Sequence, residues 1–294
     1  MTIYQQGALN TNALYAPGVY TQIAAPTTSY IQGVSSDMLG FVGVASWGPV
    51  NSVQPVGSAS DALQYLGYQT VRKRDLATAC AIALSLGATD LYTVRVTDGT
   101  DVAASIAIKD TAGTPVTGLT LTAFYSGTVG NTLTASVAAG TAASTYALTI
   151  ARPGFTGEVF DNIPGTGATL WANMVSAVIN GISNQRGPSA LVIATIGTST
   201  ALPNTSTTYT LTGGTDGVTS VTDTMQVGTD GTSTTRTGMY ALRGSGVMTG
   251  ALVDHTDYTA WSTILAFGLS EGIFFGQAGA VPVVHDRLDQ PQHG

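Results

Sequence analysis

Apolar positions along the chain change their period several times, and each change predicts an element. Leu39 to Ala45 carries no charge and is bounded by turn residues, the pattern of a central strand buried on both faces. Gly40 and Gly43 leave room for a neighbouring backbone to approach. Trp47-Gly48-Pro49 ends the strand, because proline has no ladder donor and glycine permits a sharp turn. Ser52 to Val56 reads as short and extended, and Ser58, three residues before Asp61, is a capping-type start for a helix through Leu66. Leu76, Ala79, Cys80, Ala83 and Leu86 recur at helical spacing, with Gly87 placed to end that helix. Leu91 to Val96 is again a strand, so the two long strands are expected to lie parallel, joined by a crossover.

From Asp98 the texture changes. Val102–Ile108, Val116–Phe124, Thr132–Val137 and Thr145–Ile150 are Thr-rich runs at regular spacing, separated by Gly, Pro and Asn, which predicts an antiparallel sandwich inserted in the α/β fold. Leu170, Met174, Ala177, Val178 and Ile182 make one helix face, and Leu191 to Ile196 is an apolar strand. After a Ser/Thr-rich loop from Gly197 to Thr208 comes LTGGTDG, read as a tight turn needing positive φ at Gly213, Gly214 or Gly217, with Asp216 as a turn residue. Gly238–Leu242 then looks helical, Val247–Val253 extended, Tyr258–Leu269 helical and Ile273–Phe275 extended, before a polar, proline-containing end.

These periods divide the chain into an extended N-terminal arm (1–26), the first part of an α/β core (27–97), an inserted β-rich domain (98–208) and a second α/β segment (209–294). The expected fold class is therefore α+β multidomain: an α/β core sheet, an inserted antiparallel β-sandwich-like domain and the arm. Met1 to Tyr15 has no periodic apolar face with which to bury itself, and Pro17-Gly18 precedes the alternating Val19–Ile23. The arm is expected to add a strand to a neighbouring subunit through main-chain pairing, with Tyr4, Leu9, Leu14, Tyr15, Pro17, Gly18, Val19 and Tyr20 as its contact residues.

Composition narrows the function more than any motif does. Only 9% of the 294 residues are charged, against about 25% in ordinary soluble domains. A surface of Gly, Ala, Ser and Thr suits a subunit packed among copies of itself. Net charge is −7 and Lys73 and Lys109 are the two lysines, so no nucleic-acid footprint is present. The basic run Arg72–Arg74 reads as a solvated helix lead-in or an interface contact. Cys80 lies in an apolar run and reads as a small core residue. The first sixteen residues match no secretion signal, and no run approaches the ~18 apolar residues of a membrane helix.

Chemistry is sparse. His255, His285 and His293 show no metal-ligand spacing, and Glu158 and Glu271, the two glutamates, lie far apart in sequence. Asp254-His255 suggests a hydrolase only until a nucleophile frame is sought: there is no GxSxG, and Gly244-Ser245-Gly246 does not supply it. LTGGTDG lacks the Lys-Ser or Lys-Thr pair of a phosphate loop. Trp47, Trp171 and Trp261 read as scattered core anchors. No catalytic residue, cofactor or metal is expected.

Taken together, YAPGVYTQI (Tyr15–Ile23), GVSSDMLGFVGVASWGPVNSVQPV with its following helices, LYTVRV, YSGTVGNTLTASV (Tyr125–Val137), LTGGTDG, TGMYAL and EGIFFGQAGAVP resemble the tail sheath proteins of myovirus-type phages and related contractile injection particles. The order and spacing of these motifs across nearly the whole chain carry the resemblance. It implies a subunit without catalysis, made in the host bacterial cytoplasm, that assembles with itself as stacked hexameric rings in a helical array on a virion tail. The implied partners are the tail tube, baseplate and tail terminator proteins, with neither nucleic acid binding nor membrane insertion. It also implies a subtilisin-like topology after LTGGTDG and, in the family, a further C-terminal domain facing the tube, to which this sequence does not extend. The alternative is a Thr/Gly-rich surface-layer or adhesin-like protein, which would be mostly β.

Overall fold

The central strand of the computed structural model, which describes residues 38–276, is β1 (Leu39–Gly43). The arm residues from Tyr4 to Tyr20 and the segment 277–294 lie outside the described residues. Strand β2 (Val53–Val56) follows the Gly48 turn, where φ is +98°. Helix α1 (Ala59–Leu66) begins at Ser58, whose hydroxyl accepts the Asp61 N–H at 3.1 Å, as the spacing predicts. Helix α2 (Leu76–Ser85) is capped by Asp75, which accepts the Thr78 N–H at 2.9 Å. Leu86, expected on the buried face of α2, is instead 83% exposed, because the helix ends at Ser85 and Leu86 turns into Gly87. Strand β3 (Leu91–Arg95) pairs parallel with β1, as expected, and β2 pairs antiparallel with β3 at the sheet edge.

Strand β1 is packed as its glycines require, although only one of them faces backbone. A side chain at Gly43 would overlap the Arg74 carbonyl, whereas one at Gly40 would meet the side chains of Val247 and Leu242. Alternation along β1 sends Val42 to one core, with Val94 and Leu252, and Leu39 and Phe41 to the other, with Leu76, Cys80 and Leu91.

The inserted part has strands β4 (Ser105–Lys109), β5 (Thr117–Ala123), β6 (Thr134–Ala139), β7 (Thr145–Ala151) and β8 (Glu158–Pro164), helix α3 (Gly167–Asn180), and strands β9 (Val192–Ile196) and β10 (Thr208–Thr210). One antiparallel sheet has the order β10-β6-β7-β8 and the other β4-β5-β9. Leu119, Leu121, Val137, Ile150 and Phe160 from the two sheets share one core with Leu170, Trp171 and Met174 of α3, so a helix completes the packing. The expected boundary at 208 falls on the first residue of β10, which pairs with β6, and Leu211 is buried in the same core. Strand β8 gives no alternation signal because it opens on a buried carboxylate: Glu158 accepts from the Ser189 hydroxyl and from the Ala190 N–H and pairs with Arg186.

The chain then returns through helix α4 (Asp223–Val227), which the apolar periodicity does not reveal, strand β11 (Thr249–Leu252), helix α5 (Trp261–Glu271) and strand β12 (Phe274–Phe275). The core sheet has the order β12-β11-β1-β3-β2 and is parallel except at β2. Ile264 and Phe267 of α5, with Met239 and Leu242 of a 3-10 turn (Gly238–Leu242), cover one face. Helices α1 and α2 cover the other over β1 and β3. Among the described residues no helix is long and apolar enough to cross a membrane.

One tight fit inside the insert is at Gly118 in β5, where an added methyl would overlap the buried Trp171 ring. Gly118→Ala should destabilise the protein by roughly 1–3 kcal/mol through overpacking. Urea unfolding followed by Trp fluorescence checks this, and an unchanged midpoint would contradict the close approach.

Candidate functional site: the joint between core and insert

Two chain crossings connect the core with the insert, and they are paired to each other. Val102 and Thr215 exchange backbone hydrogen bonds (3.1 and 3.0 Å), as do Ser105 and Thr212 (2.8 and 3.1 Å). A paired ribbon resists swivelling in a way that two separate linkers would not. Asn131 locks it further: its Nδ2 donates to the Gly214 carbonyl at 2.8 Å, and its Oδ1 accepts the Gly214 N–H at 2.7 Å. The Gly-Asn and LTGGTDG motifs, well separated in sequence, are therefore one structural unit.

The turn residues behave individually. Gly213 (φ +83°) and Gly217 (φ +63°) occupy the left-handed region expected of them. Gly214 does not, and its lack of a side chain has another cause: a Cβ there would lie 2.5 Å from the Gly127 carbonyl oxygen.

Asp216 is more than a turn residue. Its carboxylate accepts from Arg72 Nη1 (2.6 Å), from the Ser46 hydroxyl (3.1 Å) and from the Thr128 N–H (2.6 Å). Burial alone would raise its pKa, but the Thr128 hydrogen bonds and the Arg72 guanidinium outweigh burial and hold the carboxyl below its ordinary range. Arg72 in turn donates Nε to Asp75 at 2.8 Å, so one guanidinium links the cap of α2 to the returning chain. Arg95, on β3, donates to the carbonyls of Gly48, Ser126 and Asp216. Its pKa is lowered to about 10 by burial, against the pull of Asp101 and Asp216. From the insert, Arg152 reaches the Leu63 and Gln64 carbonyls at the end of α1 (2.6 and 2.8 Å), where a cation also meets the negative end of the helix.

Arg72 and Arg74 are thus not a solvated lead-in, while Lys73 between them is exposed. Arg74, at φ +65°, pairs with Asp223 and donates to Gln226 and the Val221 carbonyl, tying α4 to the core. Periodicity cannot find such residues, because they lie in irregular segments.

Asp254 and His255 are not arranged as a catalytic pair. Asp254 accepts the Arg74 N–H at 2.8 Å, and His255 Nε2 faces the Asp257 carbonyl at 3.1 Å. Among the described residues no group of three or more His, Cys, Asp or Glu is placed to hold a metal ion. Cys80 is fully buried, and burial pushes its thiol up to about 12. Trp47 and Trp171 are core residues, while Trp261 is only partly buried.

What the chain presents is a scaffold: a mostly parallel α/β core joined by a rigid ribbon to an insert of two antiparallel sheets and a helix. That fold is shared with a sheath tail protein from Listeria innocua, whose crystal structure superposes with a TM-score of 0.53 at 20% identity over 80% of this chain. The present chain spans 44% of that protein. A sheath tail protein from Desulfitobacterium hafniense matches less well, with a TM-score of 0.46 at 17% identity, covering 88% of this chain and 52% of the other. No family model matches the sequence, and no curated protein does.

Because Asp216 has a depressed pKa in the fold, its contribution to stability is present at neutral pH and is lost as pH falls below about 4, where the unfolded chain takes up the proton first. Asp216→Asn should cost about 1.5–3 kcal/mol at pH 7, the usual worth of a hydrogen bond to a charged group. It should also flatten the loss of stability on acidification. Urea midpoints at pH 7, 5 and 3 for both proteins check this, and parallel pH profiles would show that Asp216 does not carry the effect.

Gly214→Val should destabilise by roughly 1–3 kcal/mol through the crowding at Gly127. A neutral result in the same assay would mean that the ribbon can shift to admit a side chain.

Proposed function

We propose that this chain is a structural subunit of a contractile tail sheath on a phage-type virion, without enzymatic activity. The observation that carries this reading is the fold shared with a sheath tail protein across most of the described chain. Composition supports it: a surface with so few charges suits permanent burial among identical neighbours. The rigid joint supports it as well, since a subunit that transmits movement between rings must not absorb the movement internally.

On this reading the subunit assembles with itself as stacked hexameric rings around a tail tube, meets baseplate and terminator proteins at the two ends, and contracts to drive the tube through the host envelope. The arm, 1–26, adds a strand to a neighbouring subunit, with Tyr4, Leu9, Leu14, Tyr15, Pro17, Gly18, Val19 and Tyr20 at that contact. Main-chain pairing needs little side-chain specificity, so such a link can stay joined while subunits rotate.

Negative-stain electron microscopy of the purified protein, alone and with tube protein, tests the assignment. Tubes or sixfold rings are expected, whereas flat two-dimensional lattices would favour a surface-layer protein instead. Deleting residues 2–14 should leave a folded, soluble protein that no longer forms ordered rings. Assembly equal to that of the intact chain would remove the arm from this role.

A further inference from the structure

The tripeptide Thr-Asp-Gly recurs in the chain, at Asp98-Gly99, Asp216-Gly217 and Asp230-Gly231. An aspartate before glycine can close to a cyclic imide, because glycine has no Cβ to hinder attack of its backbone nitrogen on the preceding carboxyl. The reacting form is the neutral carboxyl, free to turn toward the main chain, so each hydrogen bond that fixes the charged form slows the step. Local sequence does not separate these aspartates. The fold does.

Asp98 accepts from the Thr100 N–H (3.0 Å), the Thr100 hydroxyl (2.6 Å) and the Ser220 N–H (2.9 Å). These bonds hold its carboxyl below the ordinary range. Asp216 is fixed by Arg72, Ser46 and the Thr128 N–H. In both, a backbone N–H is among the donors, and it cannot follow a turning side chain. Asp230 is held differently. It lies in the loop after α4, its side chain is 46% exposed, and its partners among the described residues are the side chains of Arg243 (2.7 Å) and Arg236 (3.8 Å). Long arginine side chains can move with the carboxyl as backbone donors cannot.

We infer that Asp230-Gly231 is a site of spontaneous isomerisation to isoaspartate. The Gly231 nitrogen bonds to Cγ of the Asp230 carboxyl and gives its proton to water, while the carboxyl hydroxyl leaves as water. Water then opens the five-membered imide at either carbonyl, restoring aspartate or leaving the main chain running through Cβ and Cγ. One water is lost and one is taken up, with no change of oxidation state. The reaction is intramolecular and needs neither a partner nor a pocket. Its product lengthens the main chain inside the loop that the Thr237 N–H closes on the Thr229 carbonyl (3.1 Å). It also moves the carboxylate away from Arg243, which holds Glu271 of α5 with its other nitrogen (2.5 Å). This inference stands apart from the sheath assignment, since it concerns the chemistry of one loop.

Incubation of the full chain at mildly acidic pH, followed by mass spectrometry with electron-transfer fragmentation, tests it, because that fragmentation separates isoaspartate from aspartate. In the folded protein isoaspartate should form at 230 at least about tenfold faster than at 98 or 216, the rate equivalent of one hydrogen bond to a charged group. In urea the rates at the three positions should become alike. Asp230→Glu, which cannot close the five-membered ring, should abolish the product. The site is overturned if Asp98 or Asp216 isomerises as fast as Asp230 in the folded chain, or if the product persists in Asp230→Glu. It is equally overturned if the ranking is unchanged in urea, because the fold would then not be its cause.

Discussion

The ion pair between Arg72 and Asp216 joins the core to the insert beside Trp47, the core side chain that is buried in the insert's apolar cluster. The three apolar clusters are separate: one fills the insert, and one lies on each face of the core sheet. The charges are nearly buried, with side-chain exposures of 13% and 10%, so removing one would strand the other in a poorly solvated place. That asymmetry makes the joint stiff: it is costly to open part-way, and every partner of Asp216 comes from a different segment.

Around this pair the other polar contacts divide the labour. Asn131 imitates a backbone partner for Gly214, Arg95 gathers three carbonyls beneath the ribbon, and Arg152 closes the end of α1 from the insert side. Arg72, Arg95, Arg152 and Asp216 thus meet where the two parts join, while Lys73, Asp90, Lys109, Asp230 and Asp254 are exposed.

Among the described residues, α5 packs on one face of the core sheet and α1 and α2 on the other, an arrangement that follows from topology. Strands added on either side of β1 by right-handed crossovers place their helices on opposite faces, so each helix layer covers only part of the sheet.

Sequence determined what local physics can determine. Strand β1 was legible because its residues are apolar without interruption, and α1 because Ser58 and Asp61 stand at capping distance. The core helices and strands after residue 238 were legible because their apolar period is regular. The change of texture at Asp98 coincides with the passage from the mostly parallel sheet to antiparallel strands. Tertiary structure decided what depends on partners distant along the chain. Glu158 opens a strand only because Ser189, Ala190 and Arg186 receive its carboxylate. Gly214 is required by a carbonyl from Gly127 and not by its own φ. Arg72 and Arg74 are interior because Asp216 and Asp223 meet them there. A buried charge or a close backbone approach is a property of two segments at once, and neither segment alone carries its signature.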